Sequence, residues 1–142
     1  RQRQMCIRDR SINLDSLLFY GNGKENLMKI AFSILTYRPM LTSLKKINIA
    51  ILYKDIKNKI VYFETITNWD IIEIFDNEID VDLFKMIIMG IKSHAERNLK
   101  NCSLEDYIKR YNNELKFEEV LYREADSLKE LTLKIKQLYL EI

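Results

Sequence analysis

The chain has 142 residues, with 23 basic and 21 acidic side chains and a net charge of +2. Its hydrophobic content of 47% is too high for a disordered chain, and its length suits one domain. No apolar run approaches the roughly 20 residues that are needed to cross a bilayer. We therefore expect a single globular domain without a membrane span.

The first ten residues, RQRQMCIRDR, differ in composition from the rest of the chain. Their back-translation resembles the adapter and transposon end of transposase-based sequencing libraries, so we interpret residues 1–10 as a non-native scar. The alternative is a genuine basic arm. Residues 23–28 can be encoded by GGA AAG GAG AAT TTA ATG, in which a ribosome-binding motif precedes an ATG codon. We therefore expect residues 1–27 to be a non-native leader and residues 28–142 to form the domain.

Setting this leader aside changes the charge balance. Residues 1–27 hold five basic and three acidic side chains, which leaves 18 of each from Met28 onward. A neutral chain has no overall positive field to steer it onto nucleic acid or anionic lipid. Cys6 belongs to the scar, so Cys102 is the one remaining thiol. A single thiol favours a reducing, cytoplasmic location.

Alternating apolar residues predict the first strands. Pro39 ends the first of them, and the residues Asp55 to Asn58 favour a hairpin turn before the third. A short apolar run is interpreted as a fourth strand. The predicted strands cover residues 29–37, 47–53, 60–66 and 71–75.

Three helices and one more strand are predicted in the second half. The first helix begins near Asp80 and ends at about Leu99, and capping-box patterns begin the other two at Ser103 and Ser127. Residues 117–122 are predicted to form a strand between the second and the third of these helices. The residues expected to face the core are Phe84, Ile87, Ile88, Ile91 and Ala95, then Leu104, Tyr107, Ile108 and Tyr111, and finally Leu128, Leu131, Ile135, Leu138 and Ile142.

The order of these elements indicates the fold class. Short connections between the opening strands favour an antiparallel meander. Helices bury an apolar stripe by packing on such a sheet. We therefore predict an α+β fold with an antiparallel sheet of three to five strands and about three helices packed on one face.

The segments Tyr37-Arg-Pro39 and Ile47-Asn-Ile-Ala-Ile-Leu52 carry a family resemblance. They resemble the start of an uncharacterised bacterial family, domain of unknown function 3037, in which a strand, a Tyr-x-Pro turn and a second strand follow one another. Ala50 stands where the family pattern has glycine, and Lys45 stands near the position of an acid. The resemblance implies an accessory protein without an established activity, sometimes encoded near a HipA-like kinase.

The sequence shows no recognisable catalytic, cofactor or metal motif. His94 has no ligand or catalytic partner at suitable spacing, so we predict a packing role for it; we interpret Cys102 as an ordinary loop thiol. The acids from Asp76 to Asp82 resemble the start of a calcium loop, but Val81 and Ile87 replace the required glycine and glutamate. We interpret these acids as complementing the N-terminus of the next helix.

Two further groups of residues are weighed as binding sites. Arg38, Lys45 and Lys46 form a basic spot near the first turn, which is a candidate anion or partner contact. Aromatic residues could stack bases, but strands favour aromatic residues in any case, so packing is the preferred interpretation. These aromatic residues are Tyr37, Tyr53, Tyr62, Phe63 and Trp69.

We predict a small cytoplasmic accessory protein without enzymatic activity. It would bind another protein, or a second copy of itself, through a sheet edge or a helical face. The alternative is a nucleic-acid-binding or metal-dependent nuclease-like protein that uses the basic spot with the Asp76–Asp82 acids. Asp55-Ile-Lys57 matches a nuclease element with low specificity.

Overall fold

The computed structural model of the protein describes residues 27–39 and 44–140. The leader predicted at residues 1–27 therefore lies outside the described residues, apart from Leu27. Among the described residues, no helix combines the length and the apolar character that crossing a membrane requires.

An antiparallel five-stranded sheet forms the centre of the fold. β1 is its middle strand: it pairs with β2 along one side and with both β4 and β5, placed end to end, along the other. β3 pairs with the outer side of β2. The strands are β1 (Met28–Tyr37), β2 (Ile47–Asp55), β3 (Ile60–Thr65), β4 (Leu115–Phe117) and β5 (Leu121–Ala125).

The predicted strand at residues 117–122 is present but is interrupted. Leu35 pairs with Phe117 and Phe32 pairs with Leu121, so three residues of the later segment lie opposite two residues of β1. This extra residue is a β-bulge. The buried Ser33 hydroxyl donates a 2.6 Å hydrogen bond to the carbonyl oxygen of Glu118 and so holds the bulge against β1.

Within residues 27–39 and 44–140, four helices and one 3₁₀ turn accompany the sheet. The three predicted N-caps are confirmed, because the side chains of Asp80, Ser103 and Ser127 each accept a hydrogen bond from a backbone N–H of the first turn. The helices are α1 (Asp70–Phe75), α2 (Val81–Asn98), α3 (Leu104–Ile108) and α4 (Leu128–Tyr139), with the 3₁₀ turn at Leu99–Asn101.

Both faces of the sheet are covered. Neighbouring residues of a strand point to opposite faces. On one face, the Tyr37 ring contacts Phe75 of α1 and Phe84 of α2. On the other, the ring of Phe32 lies 6.2 Å from that of Tyr139 in α4. The predicted α+β class is thus confirmed: α1 and α2, with α3 packed against α2, share one face, and α4 covers the opposite one.

Several details of the prediction are wrong. The helices were expected on one face of the sheet, whereas α4 lies on the opposite face, because β1 is apolar and buried on both of its faces. The run at 71–75 is helical: the N–H of Asp76 donates a hydrogen bond to the carbonyl oxygen of Ile72, and the Ile72 side chain is buried. An apolar run this short shows no periodicity that would distinguish a strand from a helix. Leu138 is 66% exposed, because the buried face of α4 is centred on Thr132 and Ile135. Ile142 lies outside the described residues.

Candidate functional site

The three basic residues of the predicted anion or partner contact lie at one end of the sheet. Arg38 follows β1 while Lys45 and Lys46 precede β2, and the pairing of these strands brings the three backbones together. The Lys46 ammonium lies 3.4 Å from a carboxylate oxygen of Glu118. Lys45 lines a cleft with several acids. The basic spot is therefore interleaved with negative charge, and its role as an anion or partner contact stays a prediction.

The cleft beside Lys45 has a volume of about 780 Å³. Its wall includes Tyr37 and the predicted acidic residues Asp76, Glu78 and Asp80. Asp76 accepts a 2.9 Å bond from the Tyr37 hydroxyl, and Asp80 caps α2. Asp82 lies in the first turn of the same helix. The interpretation of these acids as partners of the helix N-terminus agrees with the positions of Asp80 and Asp82, whereas Asp76 is bonded to Tyr37.

The environment of Tyr37 favours its neutral form. Burial, and then the hydrogen bond and negative charge of Asp76, raise the pKa of Tyr37 from 10.0 to about 12. A phenol in the unfolded chain titrates near pH 10. The unfolded state therefore releases this proton at a lower pH than the folded state.

We expect Tyr37 to make the protein sensitive to alkali. Its contribution to stability is fully present below about pH 10 and is lost as the pH rises from about 10 to about 12. Tyr37→Phe should remove this loss, and Asp76→Asn should lower the pKa of the phenol. Ultraviolet titration of tyrosine ionisation, with urea unfolding at pH 9 and pH 11, measures both effects. An unchanged alkaline titration in Tyr37→Phe would contradict the assignment.

His94 and Cys102 are built into the packing of the helices. His94 Nδ1 lies 2.8 Å from the Tyr107 hydroxyl, which links α2 to α3. The thiol of Cys102 donates to the Ser103 carbonyl, while its own carbonyl accepts a 2.6 Å bond from the buried Lys54 ammonium. His94 thus has the predicted packing role.

The predicted aromatic group does not form one exposed platform. Tyr37, Tyr53 and Phe63 are buried. Tyr62 is 41% exposed and stacks against Tyr53 at a centroid distance of 5.6 Å. The ring of Trp69 lies 6.4 Å from Phe84 of α2. Core and edge packing, the preferred interpretation, therefore describes these residues.

Helix α2 is apolar on two sides. Its buried side, formed by Phe84, Ile88, Ile91 and Ala95, packs into the core. A second set of apolar residues lies at i, i+3, i+4 and i+7 on a side that faces away from the core, which is the spacing of one helical face. We call this set the α2 stripe; it consists of Leu83, Met86, Ile87 and Gly90, whose side chains before the glycine are 53%, 70% and 46% exposed.

Gly90 makes the α2 stripe uneven. It is exposed, and a Cβ built on it would meet no atom within 4 Å, apart from the backbone of its own helix. The stripe therefore has a shallow position one turn after the protruding side chains of Met86 and Ile87. Met89, which precedes Gly90 in the chain, is 36% exposed.

The sequence prediction missed this surface because it placed Ile87 in the core. The structure shows Ile87 46% exposed, at the border between the two apolar sides. The missed signal was the presence of Leu83 and Met86, which fit the exposed side and not the buried one. Several exposed apolar residues on one face mark an interaction surface more strongly than single ones do.

Among residues 27–39 and 44–140, no group of three or more His, Cys, Asp or Glu side chains could hold a metal ion. In comparisons with known proteins, no family model, no curated protein and no solved structure matches the chain.

Proposed function

We propose that the chain is a non-enzymatic accessory protein that binds a protein partner through the α2 stripe. The observation that supports this proposal is that α2 is apolar on two sides while the core of the domain uses one. A surface helix normally places charged and polar residues on the side opposite the core. Leu83, Met86 and Ile87 instead face solvent, where contiguous apolar side chains favour association.

The size of the α2 stripe sets the strength of such a contact. Full burial of one apolar side chain contributes about 1.5–3 kcal/mol. Because its three large side chains are about half exposed in the free domain, covering them contributes roughly 3–5 kcal/mol in total. Association costs about 4–15 kcal/mol, so the contact must extend beyond the stripe onto neighbours such as Met89. We therefore expect a reversible complex.

The alternative, nucleic-acid binding, depends on the basic spot. Phosphate contacts need positive charge that is free to replace counterions. Lys46 is paired with Glu118, and Lys45 shares its cleft with Asp76, Glu78 and Asp80. These carboxylates reduce the attraction for a phosphate backbone and favour the protein-binding proposal over this alternative.

A sheet edge is the second surface considered for a protein partner. β3 pairs with β2 along one side, and Ile60 and Tyr62 on it are 48% and 41% exposed. The strand has six residues, and short edge strands limit pairing with other chains. The α2 stripe presents more contiguous apolar surface, so we place the contact there.

Site-specific photocrosslinking tests the proposed function. A benzoylphenylalanine placed at Met86 should give covalent adducts with a polypeptide in cells of the source organism, identified by mass spectrometry. The matched control is the same group at Glu96, an exposed position of α2 outside the α2 stripe. Adding Ile87→Asp should abolish the adducts, because a charge in the middle of the contact opposes its burial.

The proposal is wrong if position 86 gives no more polypeptide adducts than position 96. Binding of labelled DNA or RNA, with an affinity that falls steeply with salt, would then support the alternative. Replacing Lys45 and Lys46 by glutamine should weaken that binding if the basic spot carries it.

A further inference from the structure

We propose that the partner of the α2 stripe is a second copy of this chain, with the two α2 helices packed antiparallel about a two-fold axis. This inference rests on the proposed function and names its occupant. Two complementary features of one helix, one of shape and one of charge, point to the same arrangement.

The shape of the α2 stripe is complementary to itself. In an antiparallel pair centred between residues 88 and 89, Ile87 of each copy lies opposite Gly90 of the other. Ile87 protrudes and is 46% exposed, whereas Gly90 leaves open space where a side chain would stand. Because a two-fold axis repeats each contact, Ile87 of each copy fills the open space at Gly90 of the other. In the same register, Leu83 lies opposite His94, whose ring is held by Tyr107.

The charges of α2 select the antiparallel direction. Asp82 lies in the first turn and Arg97 in the last turn, and both are exposed. They are separated by about 22 Å along the helix axis, so they do not meet within one copy. In the register given above, Asp82 lies opposite Ala95 of the second copy, and Arg97 of that copy lies two residues, or about 3 Å along the axis, further on. This offset is within reach of the long arginine side chain. A parallel pair would instead place like charges together.

The extent of the contact predicts its affinity. A helix of 18 residues is about 27 Å long, and one helix pair falls at the small end of specific protein interfaces. We therefore expect a dissociation constant of roughly 1–100 µM. Such a dimer forms and dissociates reversibly over the concentration range of a sedimentation experiment.

Analytical ultracentrifugation of the full chain tests the inference, over a series from about 1 µM to 1 mM. Gly90→Gln should weaken the dimer at least tenfold, because its side chain fills the space that Ile87 enters. The same change should not lower the thermal stability of the monomer, since glutamine favours a helix more than glycine does and position 90 is exposed, with open space around a Cβ atom. Glu96→Gln, outside the contact, is the matched control and should leave the affinity unchanged.

Charge reversal tests the direction of the helices. Asp82→Lys and Arg97→Glu should each weaken the dimer about three- to tenfold, and the double variant should restore it. In a parallel pair, position 82 would meet position 82 and position 97 would meet position 97, so each single change would only replace one pair of like charges by another. Rescue by the double variant is therefore specific to the antiparallel pair.

Three results would overturn the inference. A chain that stays monomeric to about 1 mM, while position 86 crosslinks to a different protein, would refute the homodimer and leave the proposed function standing. A monomer that also gives no polypeptide adduct would refute both proposals. A dimer that Gly90→Gln does not weaken would show that copies associate through another surface.

Discussion

Replacing Phe32 by alanine is expected to lower the free energy of unfolding by about 3–5 kcal/mol. The ring is fully buried in the middle of β1. Its centroid lies 6.0 Å from that of Tyr53 and 6.2 Å from that of Tyr139, so it joins β1, β2 and α4. A small domain has about 5–15 kcal/mol of stability in total. The loss should therefore be visible as a large decrease in the midpoint of urea unfolding, followed by circular dichroism.

Leu133→Ala is the matched control for this change. Leu133 lies on α4, the helix that Phe32 holds, but it is 56% exposed. Its removal leaves no cavity, so we expect a change within about 0.5 kcal/mol. Equal effects of the two substitutions would show that α4 does not depend on the Phe32 contact.

The second large effect is expected at Asp55, with a loss of about 2–4 kcal/mol in Asp55→Ala. This carboxylate is 1% exposed. One oxygen accepts hydrogen bonds from the N–H groups of Lys57 and Asn58, and the other accepts from the Asn58 side chain. Alanine would leave these donors without their acceptor in the turn between β2 and β3. Urea unfolding measures the loss.

Two variants separate the hydrogen bonds of Asp55 from a general effect of charge. Asp55→Asn keeps an acceptor for the two backbone N–H groups, so it should cost less than alanine does. Asp126→Ala removes an exposed acid elsewhere in the chain and should change stability by less than about 0.5 kcal/mol. If Asp55→Asn is as damaging as Asp55→Ala, the backbone donors are not the reason for the loss.

Sequence patterns predicted those strands, helix caps and turns that depend on interactions between residues a few positions apart. Alternation located the first three strands, and the caps of α2, α3 and α4 follow from Asp80, Ser103 and Ser127, whose partners lie three residues away. The turn after β2 was predicted for the same reason, because Asp55 bonds its own neighbours. These interactions are encoded within a few residues of sequence.

Features that depend on distant contacts were not predictable in this way. The pairing of β1 with β5 joins residues from 89 positions apart (Phe32 and Leu121) to 97 positions apart (Met28 and Ala125), and no local pattern specifies it. The placement of α4 on the second face depends on which residues of β1 lie below it. The small residues Ala31 and Ser33, which are buried under the helices of the first face, were the available sign that both faces of β1 are covered.

The candidate site shows the same limit. Periodicity predicted the buried side of α2 correctly at Phe84, Ile88, Ile91 and Ala95, but it wrongly added Ile87. It also did not identify the second apolar side, where Leu83 and Met86 face away from the sheet. The side that faces the sheet is set by packing against Tyr37 and Trp69, which come from other elements of the fold.

The central position of β1 has a consequence for synthesis on the ribosome. β1 is translated before the other strands among the described residues, but β4, β5 and α4, which cover its second edge and one of its faces, begin about 80–90 residues after it ends. At about 5–20 residues per second, this delay is roughly 4–18 s. The hairpin of β2 and β3 emerges in the meantime, so the nascent chain carries a half-built sheet with a bare apolar face. Unpaired edges of this kind bind other chains, and molecular chaperones that act on ribosomes recognise such surfaces.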